Sequence, residues 1–439
     1  MRPLYLFLKT TLQFGMRVYF SKIRFVNAPK KFKSRTIYIS NHPSGFMDPL
    51  IIAVLQRPKI FFMTRSDLFT KVTKPFLWAC QMLPIYRSMD DDVKKNNSVF
   101  EECFQLLRKK NNLLLFGEGI SDEVFIRRIK PLKKGAGRIA FGFMEKFDWE
   151  LDLNIVCVGI NYENPTKMRS QALISNSDPI LMMKYKELYE ENPAMALNQL
   201  MKEINPILRA QATDVKDKTL APMHENVMSI TRKGMNPDNH DPKISIVERQ
   251  KYSKKLANWF NDLEKEKSES FENLQEKLAA YFQLIKRSKL EDKYIYETQE
   301  KGKLSTGKNI VKMIFGWPLF LLGVIHMGPI YVFVKKFVEG KMRRKVFWSS
   351  AKTVMGMVLH GLYNLVFIWA FYYMVYDSVW LAILYFFTIP GLSFIYAYNY
   401  RLSFIDWQKR KKINKTNIEG FVKRRKELEE LIQTEIPIA

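Results

Sequence analysis

The stretch YISNHPSGFMDPL, residues 38–50, holds the residues of this chain best suited to chemistry. An apolar run ends in Ser40-Asn41, His42 follows, and Asp48 stands on the opening turn of a helix-like segment. A histidine at a strand end is open to substrate, and a carboxylate on the adjoining turn can accept its Nδ1–H. Nε2 is then left as a base for a hydroxyl proton. Taken alone, such a pair is more often structural than catalytic.

Three further blocks follow in order: LPIYR at 83–87, FGEGIS at 116–121 and IVCVGINY at 155–162. Singly they read as a surface arginine at a strand end, a glycine turn beside an acid, and a buried strand. Together with the His42 block they resemble the glycerolipid acyltransferase family, which contains the lysophosphatidate and glycerol-3-phosphate acyltransferases. The resemblance covers about residues 36–180 and suggests a long form with a hydrophobic C-terminus. It implies His42 as general base and Asp48 as its partner. The family separates that pair by four residues and this chain by five, as though Gly45 were inserted; glycine accommodates the bend.

The resemblance further implies that Arg87 binds the acceptor's phosphate through its guanidinium. Gly119 would let backbone N–H groups approach an anion, and Glu118 would fix the loop or the glycerol hydroxyls. Ser121 stands near the end of that block, where Ile120-Ser121 replaces the family's usual Thr-Arg or Ser-Arg. Arg127, Arg128, Lys133 and Lys134 are nearby cations able to substitute for the missing arginine. The implied substrates are an acyl thioester donor, acyl-CoA or acyl carrier protein, and glycerol 3-phosphate or its 1-acyl derivative. No cofactor and no metal are expected: the five histidines form no HExxH or clustered pattern. Cys80, Cys103 and Cys157 lack CxxC spacing and read as reduced, mostly buried thiols.

These residues need elements to hold them. TIYIS, KIFFM, NLLLF, NIVCVGINY and QALIS read as strands, with helical composition near 49–57, 90–110 and 134–147. That alternation predicts an α/β domain over 21–184 with a central sheet; the resemblance makes the sheet mixed and flanked by helices. Residues 1–20 are apolar but interrupted by Lys9 and Arg17, which suits a helix lying in a membrane interface or one packed on the domain. Residues 185–305 carry apolar residues at helical spacing amid dense charge and predict an added amphipathic helical region.

Within 306–405 three apolar segments, near 310–334, 353–376 and 379–400, reach the roughly 20 residues needed to cross a hydrocarbon core. The 335–352 connection and the 406–439 tail are basic, whereas 377–378 holds Asp377 and no base. The positive-inside rule puts both basic stretches in the cytoplasm, with the catalytic domain. The first segment, broken by Gly316, Pro318, Gly323, Gly328 and Pro329, is then re-entrant; three simple crossings are the alternative.

The chain has 439 residues, a formal net charge of +26, and 47% hydrophobic content. Such a basic balance implies an anionic partner. Anionic lipid and phosphorylated substrates account for it, and no RNP, KH or zinc-finger pattern supports nucleic acid. A membrane scaffold binding anionic lipid without catalysis is the competing reading.

Overall fold

The computed structural model describes residues 3–28, 35–55, 60–86, 96–263 and 269–438. It divides into two compact units, Met1–Lys218 and Thr219–Ala439.

The first unit is built on a mixed sheet. Its described strands are β1 (Lys22–Val26), β2 (Thr36–Ser40), β3 (Ile60–Arg65), β4 (Met82–Ile85), β5 (Asn112–Phe116), β6 (Asn154–Tyr162), β7 (Gln171–Asn176) and β8 (Ile180–Leu181). The order is β1-β7-β6-β2-β5-β3-β4, with β8 beside β6. β7 and β8 each pair antiparallel with β6, and β1, parallel to β7, runs with them against the other strands. β2 lies at the centre between β5 and β6, parallel to both, and each of its five residues is buried. A strand covered on both faces reads as an apolar run, which is why TIYIS and NLLLF lack alternation.

Strand geometry sends neighbouring side chains to opposite faces. Ile37, Ile39, Leu113, Leu115 and Cys157 join the core under α4 (Asn96–Arg108), α5 (Gly135–Lys146), α6 (Lys186–Glu191) and α7 (Pro193–Gln211). Tyr38, Leu114, Val158, Ile160 and Tyr162 join the core under α1 (Pro3–Tyr19), α2 (Met47–Leu55) and α3 (Thr73–Ala79). The unit is thus an α/β/α sandwich. Residues 193–211, read from sequence as charged and separate, pack into it: Ala196, Leu200, Ile204 and Leu208 are buried in its core.

The second unit contains α8 (Ala221–Thr231), α9 (Ile246–Asp262), α10 (Glu269–Arg287), α11 (Asp292–Lys301), α12 (Gly307–Lys341), α13 (Trp348–Met374), α14 (Val379–Ile413) and α15 (Glu419–Glu435). Among the described residues, three helices are long and apolar enough to cross a membrane: Asn309–Lys341, Lys345–Met374 and Val379–Ile413. α15 joins α8, α10 and α11 around the wholly buried Arg425, whose Nε donates to Asp292 Oδ1 at 2.9 Å. Tyr281 donates to the same carboxylate oxygen at 2.7 Å.

α12 changes direction within its length, as its contacts with α14 record. Asn309 bonds Asp406, and Tyr400 donates to the carbonyl of Met313 at 3.0 Å. At Gly323 a Cβ would stand 2.2 Å from the Ser393 carbonyl oxygen, so only glycine admits this approach. His326 reaches Tyr385 at 3.0 Å, so to this point α12 descends antiparallel to α14. Tyr331, however, lies back against Phe394 and Tyr398, with Arg401 over its ring. The reversal falls at Gly328-Pro329. Proline removes the N–H that would pair with the Ile325 carbonyl, and Tyr363 of α13 donates to that oxygen at 3.1 Å. Asn364 donates to the His326 carbonyl at 3.2 Å. The bend is therefore hydrogen-bonded by its neighbour, as an apolar surrounding requires.

Candidate active site

β2, β5 and β6 are parallel neighbours, so their carboxyl ends open at one edge of the sheet. In open α/β sheets that edge is where ligands bind. His42, Glu118 and Tyr162 all stand there, two residues past β2, two past β5 and at the end of β6.

After Ser40 the chain leaves the sheet and enters α2 through a tight turn. Gly45 takes φ +52° there, and Met47 and Asp48 donate their N–H groups back to the carbonyls of Ser44 and Gly45. The extra residue between His42 and Asp48 is thus absorbed by a left-handed glycine. Asn41 fixes the base of the turn. Its Nδ2 donates to the Ile160 carbonyl at 3.1 Å, and its Oδ1 accepts the Ile160 N–H at 2.8 Å.

The pair expected from the sequence is formed. His42 Nδ1 lies 2.8 Å from Asp48 Oδ2, with the imidazole side chain 18% exposed and the carboxylate wholly buried. The same oxygen accepts the Ser44 N–H at 2.8 Å, and Asp48 Oδ1 accepts the Tyr162 hydroxyl at 2.9 Å. Asp48 lies in the first turn of α2, where the helix dipole favours negative charge. Burial pushes its carboxyl above the ordinary range, and the bonds from His42, Ser44 and Tyr162 offset part of that rise. The His42 ring stacks on Phe116, centroids 4.2 Å apart. With Nδ1 turned to Asp48, Nε2 is the nitrogen available to a hydroxyl proton.

Glu118 acts on the backbone. Oε1 accepts the His42 N–H at 2.6 Å and Oε2 the Lys130 N–H at 3.0 Å, tying three loops together. It is 5% exposed, and burial raises its pKa. Of the two roles expected for it, loop fixing is the one these bonds perform. Gly119 has φ +72°, and a Cβ there would stand 3.0 Å from Lys133 Cε, so the lysine stem lies against this turn. Ser121 is buried nearby at 5% exposure. Arg87 falls outside the described residues.

The candidate replacement cations differ sharply. Arg127 is buried and donates to the carbonyls of Tyr162 and Glu163. Arg128 and Lys130 both pair with Asp122, at 3.1 and 3.2 Å. Burial works to raise the Asp122 pKa, but its bonds to Arg128 and Lys130 hold it below the usual range. Lys134 bonds Asn198. Lys133 is exposed with its stem beside Gly119, while Lys130 Nζ, paired with Asp122, also donates to the Ile120 carbonyl of the turn at 3.3 Å. Tyr162 was missed from sequence as anything but a strand residue; its register opposite the His42 turn appears only once β6 pairs with β2.

Among the described residues no group of three or more His, Cys, Asp or Glu is placed to hold a metal. The three cysteines are free thiols, Cys103 and Cys157 buried and Cys80 half-buried.

Residues 19–161 match the family model described as Acyltransferase. The Saccharomyces cerevisiae glycerol-3-phosphate O-acyltransferase 1 is 24% identical over 268 residues, 58% of this chain and 33% of that protein. The glycerol-3-phosphate O-acyltransferase 2 of the same yeast is 28% identical over 123 residues, 28% of this chain and 16% of that one. The matches therefore span well under two thirds of either relative's length. The crystal structure of the 1-acyl-sn-glycerophosphate acyltransferase PlsC from Thermotoga maritima aligns over 45% of this chain and 77% of that one, at 14% identity and TM-score 0.31. Residues 19–161, which hold the His42–Asp48 pair, are thus the part of this chain that is similar to the acyltransferase family.

Proposed function

We propose that the protein transfers a fatty acyl group from an acyl thioester to a hydroxyl of a glycerol-phosphate acceptor, as a step of phospholipid synthesis. The observation that carries the reading is the partly exposed His42 imidazole held through Nδ1 by a buried carboxylate at the carboxyl edge of the sheet. His42 Nε2 takes the hydroxyl proton as that oxygen attacks the thioester carbonyl. The tetrahedral oxyanion collapses, and the imidazolium returns the proton to the departing thiolate. Asp48 holds the productive tautomer and stabilises the imidazolium. Lys133, beside the Gly119 turn, supplies a cation for the acceptor's phosphate, with Arg87 and Ser121 as further contacts. The names of the two yeast relatives favour glycerol 3-phosphate over its 1-acyl derivative as acceptor.

The three long apolar helices favour an integral membrane protein. Reversal of α12 at Pro329 favours the re-entrant arrangement: 335–352 and the tail after α14 then share the side on which α12 begins, and Asp377 lies across the bilayer. The basic flanks agree with that side being cytoplasmic. We assign the catalytic domain to it as well.

Thiol release by the detergent-solubilised chain, with each acceptor paired with acyl-CoA or acyl carrier protein, tests the reading. Fastest release with glycerol 3-phosphate supports it. No acceptor-dependent release with any pair favours the lipid-binding scaffold instead.

A further inference from the structure

Residues 117–134 carry Glu118 and Lys133, yet they run without helix or strand from the end of β5 to α5. A loop of that length in a compact domain is uncommon and usually belongs to a working site. Its ends meet, because Lys133 donates its N–H to the Gly117 carbonyl at 2.8 Å. Its middle is held by residues 209–215, at the end of α7 and just after it. Val215 donates its N–H to the Arg127 carbonyl at 2.9 Å, and Asp214 Oδ1 accepts the Ile129 N–H at 2.7 Å. Arg209 pairs with the other Asp214 oxygen and reaches the Ile129 carbonyl at 3.4 Å.

This clamp is itself anchored beside the candidate site. Asn161 donates to the Gln211 carbonyl at 2.9 Å and accepts the Thr213 N–H at 3.2 Å. A Cβ on Gly159 would stand 2.1 Å from that same carbonyl oxygen, so glycine lets residue 211 come down on β6. Asn161 sits between Ile160, which binds Asn41, and Tyr162, which binds Asp48.

The bonded run continues to the imidazole. Ile129 and Lys130 are successive residues, and their N–H groups end on two buried carboxylates, Asp214 and Glu118. Glu118 uses its other oxygen for the His42 N–H at 2.6 Å. The need of a buried loop for partners would be met by carbonyl oxygens alone. A buried carboxylate costs desolvation, and it holds its donors by stronger, charge-assisted bonds. Asp214 also lies beyond residues 19–161, the stretch similar to the acyltransferase family.

We infer that Asp214 is a positioning residue for acyl transfer, supplied from outside the family-like stretch. It clamps residues 127–130, so that Glu118 holds the His42 backbone and Lys133 stays beside the Gly119 turn. The inference rests on the acyl-transfer reading proposed above.

The test measures thiol release by the full chain in detergent, with acyl-CoA and glycerol 3-phosphate each varied. Asp214→Ala should lower kcat/KM for glycerol 3-phosphate at least about tenfold, with KM for acyl-CoA within about twofold of wild type. Asp214→Asn, a weaker acceptor, should fall between the two. Ile204→Val truncates the core under the same helix; it should lower the thermal midpoint without moving KM for glycerol 3-phosphate. Should Asp214→Ala fail to fold, amide exchange of residues 125–134 in Asp214→Asn decides, and it should quicken at least about threefold. Wild-type kinetics or exchange in the Asp214 variants overturns the inference alone, as does an equal rise of that KM in Ile204→Val. A wild-type chain that releases no thiol with any acceptor overturns the acyl-transfer reading, and the inference with it.

Discussion

The phenol of Tyr162 donates a 2.9 Å hydrogen bond to Asp48 Oδ1, the carboxylate oxygen that His42 does not use. Both groups are wholly buried, so the bond is unshared with water. Tyr162 thereby sets the rotation of the carboxylate that aims Oδ2 at the imidazole. Burial and the neighbouring Asp48 charge push the Tyr162 pKa well up, which keeps it a donor throughout the working range.

Tyr162→Phe should therefore act through Asp48. The bond favours the charged carboxylate, so its loss raises the Asp48 pKa further and moves the acid limb of the rate profile to higher pH. A lost buried hydrogen bond to a charged group is worth about 1.5–3 kcal/mol, roughly 10- to 150-fold in kcat. Rate profiles of purified wild type and variant, with KM for both substrates, check it. An unshifted acid limb with a raised KM contradicts the positioning role.

Lys133→Ala should raise KM for glycerol 3-phosphate at least about tenfold, the scale of one charge-assisted contact, with kcat little changed. Arg128→Ala should do less, because that guanidinium is engaged by Asp122. Initial rates across acceptor concentrations decide; equal effects from the two variants contradict the assignment of the phosphate to Lys133.

Glu118 makes a prediction about stability rather than rate. Its folded pKa is raised by burial, so between its unfolded value, about 4.3, and the folded value the native state binds more protons than the unfolded chain. Stability must then fall as pH rises through that window and level off above it. Thermal midpoints in detergent should decline from pH 4 upward through that window, and Glu118→Gln should flatten the decline while lowering the midpoint at every pH. An unaltered slope in the variant contradicts the raised pKa.

Much of the first unit was legible in the sequence, and the reasons are local. TIYIS, NLLLF and NIVCVGINY are apolar runs of strand length bounded by turn residues, and each became a buried strand. β1 was not legible: KIRFV carries two cations and half-exposed residues because it lies at the sheet edge beside β7. The His42–Asp48 pair could be named because both members lie on one turn. Tyr162 and Lys130 could not, because sheet register and a loop crossing bring them from far along the chain. The bend at Pro329 shows both sides. The sequence marks the breaker, yet only the donors Tyr363 and Asn364 on another helix explain how it is tolerated.

The bend carries its own prediction. In a chain stripped of native cysteines, single cysteines replacing Lys303 and Lys341 should react with an impermeant maleimide from one side of sealed vesicles, and a cysteine replacing Asp377 from the other. Lys341 reporting on the same side as Asp377 contradicts the re-entrant arrangement.

The central claim concerns one imidazole, and thiol release from acyl-CoA by a purified His42→Ala variant tests it most directly. Loss of the general base should lower kcat about 10²–10⁴-fold, with vesicle association and thermal midpoint preserved. Turnover within a few-fold of wild type, in a folded variant, contradicts the account.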